Sequence, residues 1–473
     1  MNKKAGIAIA AAVAVVTAGA LGTSYYMGGK LQQSFTEGIA KGNDYGIKIQ
    51  ITSYERGAFS STAKTVWTLD DSDEPTQFTA EHKINHGPLP LGHAAEIHTR
   101  FNLPDDAEPA IKTALNGRSP LEIATKVGWG RSSSNVMTSP AVVTRVNESD
   151  MNWGGMKIAW DMPADLKGAK GTGSFEGLEF KDAEGSVAMG KADIRFDNKQ
   201  PEGQKFWTGP FVLNIAKFTA SKTEDGKTSA SQVEGISMDS DTRLLGDVVE
   251  MTLKTGVKSA KLEDKQADDI LLDLAINNVD TGWINHVMDL SKRMKSQRSE
   301  AAQGEQAGSD EDEMSNGDLR DAMLKNLIQA LARKPSVEIK RLSMRTPEGV
   351  SEFSAAVQYV GDGKKMGNLL KDLKVSVKAD MPKPLMESLM QSRKRASLIA
   401  HLDDENDYKS EEIDSAAKFQ TQGSLELLTK EGIFEDKDGK IRTDIVFANG
   451  EIQANGKPLS PEGTAMLMTE AIE

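Results

Sequence analysis

The protein has 473 residues, a formal net charge of −13, 5% aromatic residues and no cysteine. This length allows about two to four domains, and its ordinary Gly and Pro content excludes collagen-like and low-complexity chains. The acidic balance argues against a nucleic-acid binder. The missing cysteines exclude disulfide scaffolds, Cys-based zinc sites and thiol nucleophiles.

The N-terminus carries an apolar segment. Lys3 and Lys4 precede an uncharged run, Ala5 to Gly22, of 18 residues. As a helix this run would span about 27 Å, against roughly 30 Å for a hydrocarbon core. Its large apolar residues, with two tyrosines suited to the membrane interface, form the predicted membrane anchor. They are Ile7, Ile9, Val13, Val15, Val16, Leu21, Tyr25 and Tyr26.

Two interpretations of this segment remain open. It is either a retained anchor or a signal peptide cleaved after the small residues Ala18-Gly19-Ala20. In both cases the lysines stay in the cytoplasm, and the chain from about Gly29 onward is exported. The lack of cysteine suits an oxidising compartment, because a chain without thiols cannot form mispaired disulfides.

Alternation of apolar and polar residues dominates the following region. Ile47, Ile49 and Ile51 alternate with polar residues, as do Ile97 and Phe101 farther on. Period two is typical of strands with one apolar and one wet face. Similar runs occur at Met156–Trp160, Gly185–Phe196, Phe211–Ala220, Val248–Thr255 and Ile270–Asn277. Because helices do not alternate with these strands, we expect an extended, mainly antiparallel, twisted or curled sheet.

Helical periodicity clusters late in the chain. The predicted helices are Trp283–Arg298, Leu319–Lys334, Pro384–His401 and Glu411–Lys430. The chain ends with strands Lys440–Phe447 and Glu451–Ala454 around Asn449-Gly450, which predicts a type I′ hairpin turn. The expected fold class is therefore α+β and β-rich, with several helices in the C-terminal third and one N-terminal transmembrane helix.

An acidic stretch suggests where the body divides. Residues 299–318 hold six acidic residues between Glu300 and Glu313 and no basic one, which predicts an exposed, disordered loop. We therefore divide the chain into the anchor at 1–28, a β-rich region at 29–298, this loop, and an α+β region at 319–473. The last region is expected to pack on the same sheet.

Four histidines lie close together in sequence: His82, His86, His93 and His98. Convergence of several of them would be needed for a metal site. A polar face on two adjacent strands explains them more simply, and we assign no metal ligand.

A second pattern resembles serine acyl-transfer enzymes. Ser61-Thr62-Ala63-Lys64, Ser133-Ser134-Asn135 and Lys254-Thr255-Gly256 match the three elements of penicillin-binding enzymes in order. Ser61 and Lys64 lie in a predicted strand, however, so their side chains would point to opposite faces. A hydrolase that uses Ser61 is therefore a remote alternative, and we expect no enzyme, catalytic residue or cofactor.

Four motifs together resemble a known family. They are Ser24-Tyr-Tyr-Met-Gly-Gly-Lys-Leu31, Tyr54-Glu-Arg-Gly-Ala-Phe-Ser-Ser61, His86-Gly-Pro-Leu-Pro-Leu-Gly92 and Phe447-Ala-Asn-Gly-Glu-Ile-Gln-Ala-Asn-Gly-Lys-Pro-Leu459. In these motifs the chain is similar to the YdgA-like family of bacterial envelope proteins, whose function is unknown. The resemblance implies an uncleaved anchor in the inner membrane and a periplasmic body, and it supplies no catalytic residues.

The expected function is a non-enzymatic envelope role. The apolar sheet face either forms a groove that binds a lipid or other hydrophobic ligand, or is capped by the helices after residue 280. The alternative is a homo-oligomeric assembly module, such as a dimer formed through the anchor or exposed sheet edges. The expected partners are the inner membrane, a lipid ligand or a second copy, and not nucleic acid.

Overall fold

A computed structural model describes residues 47–56, 60–69, 76–86, 93–224, 226–263, 265–302, 326–362, 371–400 and 410–472. The predicted anchor lies outside these residues, as do most of the His86–Gly92 motif and most of the acidic stretch. Within the described ranges, no helix is both long and apolar enough to cross a membrane. The contacts divide the chain into two units, the first ending at Met238 and the second formed by Gly203–Phe206 and the residues from Asp239 onward.

The first unit is built from strands and one short helix. Its strands are β1 (Ile47–Arg56), β2 (Ser60–Leu69), β3 (Thr76–His86), β4 (Ala95–Asn102), β5 (Leu121–Val127), β6 (Ser133–Ser139), β7 (Val142–Val146), β8 (Ser149–Trp153), β9 (Met156–Met162), β10 (Gly168–Phe175), β11 (Leu178–Lys181), β12 (Gly185–Met189), β13 (Ala192–Lys199) and β14 (Gly209–Glu224). Helix α1 (Pro109–Leu115) contacts β7. β15 (Lys227–Leu245) begins in this unit and ends in the second.

The strand pairings described in the first unit are antiparallel, as the sequence predicts. Consecutive strands pair from β1 to β6, and the order continues through β9, β10 and β13 to β14. One face of these strands is a filled core. Ile84, Val127, Met137 and Ile158 are completely buried in one apolar cluster. The apolar face of this unit is therefore not an open groove.

Four long neighbouring strands are each broken into two at the same level of the sheet. We call this level the glycine crease. Its residues are Pro140–Ala141, Gly154–Gly155, Glu176–Gly177 and Gly190–Lys191. The backbone stays paired across it, since Gly154 N–H donates to the Gly177 carbonyl at 2.9 Å. Gly177 has φ +120°, and a Cβ there would lie 3.0 Å from the Met189 carbonyl oxygen. The crease thus requires glycine, and it splits the predicted run Gly185–Phe196 into two strands.

The second unit contains a sheet and the longer helices. Its strands are β16 (Val248–Leu262), β17 (Lys265–Asp280), β18 (Ser336–Thr346), β19 (Gly349–Tyr359), β20 (Leu373–Pro382), β21 (Glu435–Lys437), β22 (Lys440–Ala448), β23 (Glu451–Ala454) and β24 (Lys457–Pro458). The order β16-β17-β18-β19-β20-β22 is antiparallel throughout. Asn449 and Gly450 both have positive φ between β22 and β23, so the predicted hairpin turn is confirmed.

Each predicted helix of the second unit is present among the residues that the structure describes. They are α2 (Thr281–Ala302), α3 (Lys383–Ala400) and α4 (Ser410–Lys430), followed by α5 (Pro461–Ile472). α2 continues into the first four residues of the predicted acidic loop, because Ser, Glu and Ala are compatible with a helix. Residues 326–331 are also helical, but this helix ends before Lys334, whose φ of 55° is left-handed.

Candidate functional site

One face of the second unit's sheet is apolar across six strands. Three rows of directly paired residues run from β16 to β22. The first row is Met251, Ile276, Val337, Val357, Val375 and Phe447; the second is Leu253, Leu274, Ile339, Ala355, Val377 and Ile445; the third is Thr255, Leu272, Leu342, Phe353, Ala379 and Thr443. Directly paired residues of an antiparallel sheet share a face, so the rows form one surface, which we call the apolar face.

The apolar face is open on β16 to β19. All of its row residues on these strands are half-buried or exposed. Val337, Leu342 and Val357 remain 46%, 40% and 43% exposed. At about 3.3 Å per residue and 4.8 Å per strand, the three rows span about 13 Å along the strands and 14 Å across the four strands. These contiguous, partly exposed apolar side chains make the open part of the face the candidate binding surface of this unit.

Helices cover the part of the apolar face that lies on β20 and β22. α3 contacts β20 and β22, and α4 packs against α3. Ile441, on β22, is buried together with Leu428 of α4 and Ile433 just after it. The Thr443 hydroxyl donates to the Ile433 carbonyl at 2.8 Å. Among the residues that the structure describes, the expectation that helices after residue 280 cap the apolar face is met near β20 and β22.

The opposite face of the same sheet is charged and paired. Lys378 and Asp444 approach to 2.9 Å, and Arg341 and Glu352 to 2.7 Å. Lys254 lies 3.9 Å from Asp273. Exposed pairs of this kind contribute little stability, but they show which side of the sheet is solvated. The contrast identifies the apolar face as the unusual surface of this unit.

The two ends of the apolar face differ. Tyr359 lies two residues beyond Val357 on the same face and is buried. Its hydroxyl donates to Asp372 at 3.3 Å. At the other end, the β16–β17 hairpin turns polar on this face, where Ser259 pairs with Asp268 and Lys261 with Gln266. Gln266 donates to the Asp268 carboxylate at 2.9 Å.

Two of the histidines that were candidates for a metal site, His82 and His98, lie on opposite faces of the sheet. His82 is buried in the first unit, where its ring nitrogens bond to the hydroxyls of Thr65 at 2.8 Å and Thr99 at 2.9 Å. His98 lies on the opposite, wet face near Glu96. Among the described residues, no group of three or more His, Asp or Glu side chains could hold a metal ion.

Ser61 and Lys64 do not form a catalytic pair. Ser61 is buried on the core face of β2, whereas Lys64 is exposed on the other face and approaches Glu81 to 3.0 Å. Ser133 and Asn135 are buried, and the Asn135 amide donates to the Ser133 hydroxyl at 3.1 Å. Two of the three matched elements thus lie in packed strands, and the serine lacks its proposed base.

A shallow depression of about 620 Å³ lies on the wet face of the first unit, over β6, β9, β10, β13 and β14. Its polar groups largely satisfy each other. Lys170 lies 2.8 Å from Asp197, and Ser134 donates to Asp161 at 2.6 Å. Trp160, Arg195 and Phe196 also line the depression, and the remaining lining residues are small polar or aliphatic ones.

The architecture and motifs define a family of bacterial β-rich proteins whose function is unknown. The chain matches a family of bacterial proteins of unknown function (DUF945) over residues 1–462, and it belongs to that family. It is also similar to Protein YdgA of Escherichia coli (strain K12), with 22% identity over 508 residues, which cover 98% of this chain and 96% of that protein. No solved structure matches the chain.

Sequence reasoning missed the strands that form half of the open face. The pattern of Ser336–Tyr359 was not recognised as two strands, although Val337, Ile339 and Val357 alternate with polar residues. The irregularity at Lys340-Arg341 shifts the register between β18 and β19 and breaks the alternation. A search that allowed one β-bulge would have found both strands.

Proposed function

We propose that the protein is a non-enzymatic envelope protein that binds the acyl chains of a lipid on its apolar face. The observation that carries this proposal is the three aliphatic rows left half-exposed on β16 to β19. Burying such side chains yields about 25 cal/mol per Å² of apolar surface, so an apolar ligand would be retained.

The composition of the face favours flexible chains over aromatic ligands. Within the three rows on these strands, Phe353 is the aromatic residue and Thr255 the polar one, and the others are aliphatic. No charged side chain interrupts these rows. A surface of this kind offers dispersion contacts without directional hydrogen bonds, which suits a hydrocarbon chain.

The proposed location supports a lipid ligand. We propose that residues 5–22 anchor the chain in the inner membrane and that the body is periplasmic, because two lysines precede the apolar run and the chain has no cysteine. An anchored body would remain next to a source of acyl chains. The cleaved, soluble periplasmic form is the alternative.

A matched pair of variants tests the acyl-chain proposal. Val357→Glu places a charge on the apolar face, whereas Gln358→Glu places it on the adjacent, exposed, opposite face of β19. We expect a fluorescent hexadecanoic acid to bind the wild type and Gln358→Glu protein alike, and Val357→Glu at least about tenfold more weakly, since one buried carboxylate costs more than 1.4 kcal/mol. Both charges lie at exposed positions, and circular dichroism would verify that both variants fold.

The same measurement distinguishes the assembly alternative. If a second copy covers the apolar face, Val357→Glu would turn a dimer into a monomer in sedimentation equilibrium, and the wild type would bind no fatty acid. A monomeric wild type that binds no fatty acid would contradict both proposals. Native mass spectrometry of protein purified from membranes should show co-purified lipid in the wild type and less in Val357→Glu.

A further inference from the structure

We infer that the apolar face holds an amphiphile in one direction, with a zwitterionic headgroup at the tip of the β16–β17 hairpin and the chain ends toward Tyr359. This inference rests on the proposed acyl-chain function and adds a headgroup class and the residues that recognise it. It derives from the difference between the two ends of the face.

The chain end is set by burial. Tyr359 on β19 and Val249 at the start of β16 are 3% and 6% exposed. Both lie at the same end of the antiparallel strands, beyond the first row of the apolar face. A polar headgroup placed at this buried end would lose its hydration, which is energetically unfavourable.

At the opposite end, the apolar face carries one negative and one positive side chain. Asp268 pairs with Ser259, and Lys261 pairs with Gln266 one step farther toward the tip. Because alternate residues of β16 share a face, Ser259 and Lys261 continue the row that contains Val257, and Asp268 and Gln266 lie opposite them on β17. The apolar surface therefore ends in a carboxylate and an ammonium that lie diagonally across a strand pair, about 7–8 Å apart at the backbone.

Asp268 is held ionised and in place. Hydrogen bonds from Ser259 and Gln266 lower the pKa of its carboxyl group, and the nearby charge of Arg345 adds to the effect. A fixed carboxylate prefers a cationic ligand group, whereas Lys261 prefers an anionic one such as a phosphate. A headgroup that carries a phosphate and an ammonium meets both Lys261 and Asp268, whereas a purely anionic headgroup leaves the Asp268 carboxylate to Arg345 and offers it no cationic ligand group.

Vesicle binding with a matched variant tests this direction. We compare the full chain on vesicles of pure dioleoylphosphatidylcholine with vesicles containing 30% dioleoylphosphatidylethanolamine or about the same fraction of dioleoylphosphatidylglycerol, and measure lipid extraction by the protein. The wild type should extract the ethanolamine lipid in preference to the glycerol lipid. Asp268→Asn should reduce that preference about two- to fivefold, the range expected for one exposed charge pair.

Asp273→Asn is the control, because Asp273 lies on the same strand but on the charged face, 3.9 Å from Lys254. It should extract both lipids like the wild type. Equal extraction of the two lipids by the wild type, or an unchanged preference in Asp268→Asn, would overturn the headgroup assignment while the acyl-chain proposal stands. Loss of all lipid extraction together with loss of fatty-acid binding would instead contradict the proposed function itself.

Discussion

Asp280, the last residue of β17, binds Arg333, which lies just after the helical residues 326–331. The buried carboxylate of Asp280 accepts Arg333 Nε at 3.3 Å, and its other oxygen accepts the backbone N–H of Trp283 at 2.9 Å. The same arginine also donates to Asp247. One carboxylate therefore caps α2 and fixes Arg333 at the same time.

Removing this carboxylate should weaken the second unit. Asp280→Ala loses the helix cap and the arginine contact, so we expect about 2–3 kcal/mol less free energy of unfolding. Arg333→Ala should lower the free energy of unfolding by less than Asp280→Ala does, because Arg333 is partly exposed. Urea unfolding followed by circular dichroism measures both. Arg243→Ala, which breaks the exposed pair with Asp241, is the control and should change stability by less than about 0.5 kcal/mol.

Gly171 should not tolerate a side chain. A Cβ on Gly171 would lie 2.5 Å from the Ala159 carbonyl oxygen and 2.8 Å from Cζ of Phe196. Gly171→Ala should therefore destabilise the first unit by about 1–3 kcal/mol, as overpacking does. Gly423→Ala, in the middle of α4 with open space around it, should instead stabilise the protein by roughly 0.5–1 kcal/mol. Thermal unfolding of the two variants should shift in opposite directions.

Burial lowers the pKa of His82 to about 4. The unfolded chain takes up a proton near pH 6.5, so this histidine favours folding fully above pH 6.5 and loses that contribution as the pH falls toward 4. The difference corresponds to about 3 kcal/mol over the whole interval. We expect the urea midpoint to fall between pH 7 and pH 5 in the wild type. In His82→Gln, which retains hydrogen bonding toward Thr65 and Thr99, the same change of pH should lower the midpoint less.

The fate of the N-terminal segment can be measured directly. If residues 5–22 remain as an anchor, the intact mass of protein extracted from membranes will include them, and deletion of residues 1–28 will release the body from the membrane fraction. A mature N-terminus just after Ala20, found by sequencing, would establish cleavage instead. Replacement of Val15 and Val16 by Lys provides the control, because it interrupts the apolar run without shortening the chain.

Local alternation predicted much of the sheet but not its limits. Val248–Thr255 and Ile270–Asn277 were recognised, yet β16 and β17 continue to Leu262 and back to Lys265. Their outer parts carry mostly polar residues on both faces, so no apolar alternation marks them. The turn at Asn449-Gly450 was predictable because its left-handed backbone demands those residue types. The open face was not, since whether a face is covered depends on contacts between distant residues.

The glycine crease also determines how the first unit can assemble. β6 to β9 form one long hairpin whose tip is Asn147-Glu148, both with positive φ, and β10 to β13 form a second one. Each strand of a hairpin pairs with another strand of the same hairpin, so closing the loop at the tip brings all the partners together. Pairing can therefore advance from the tip past the crease without any contact to a segment that is distant in sequence. We therefore expect these eight strands to pair early in folding. Protection of backbone amides from hydrogen exchange should appear near the two hairpin tips before it appears in the rest of the unit.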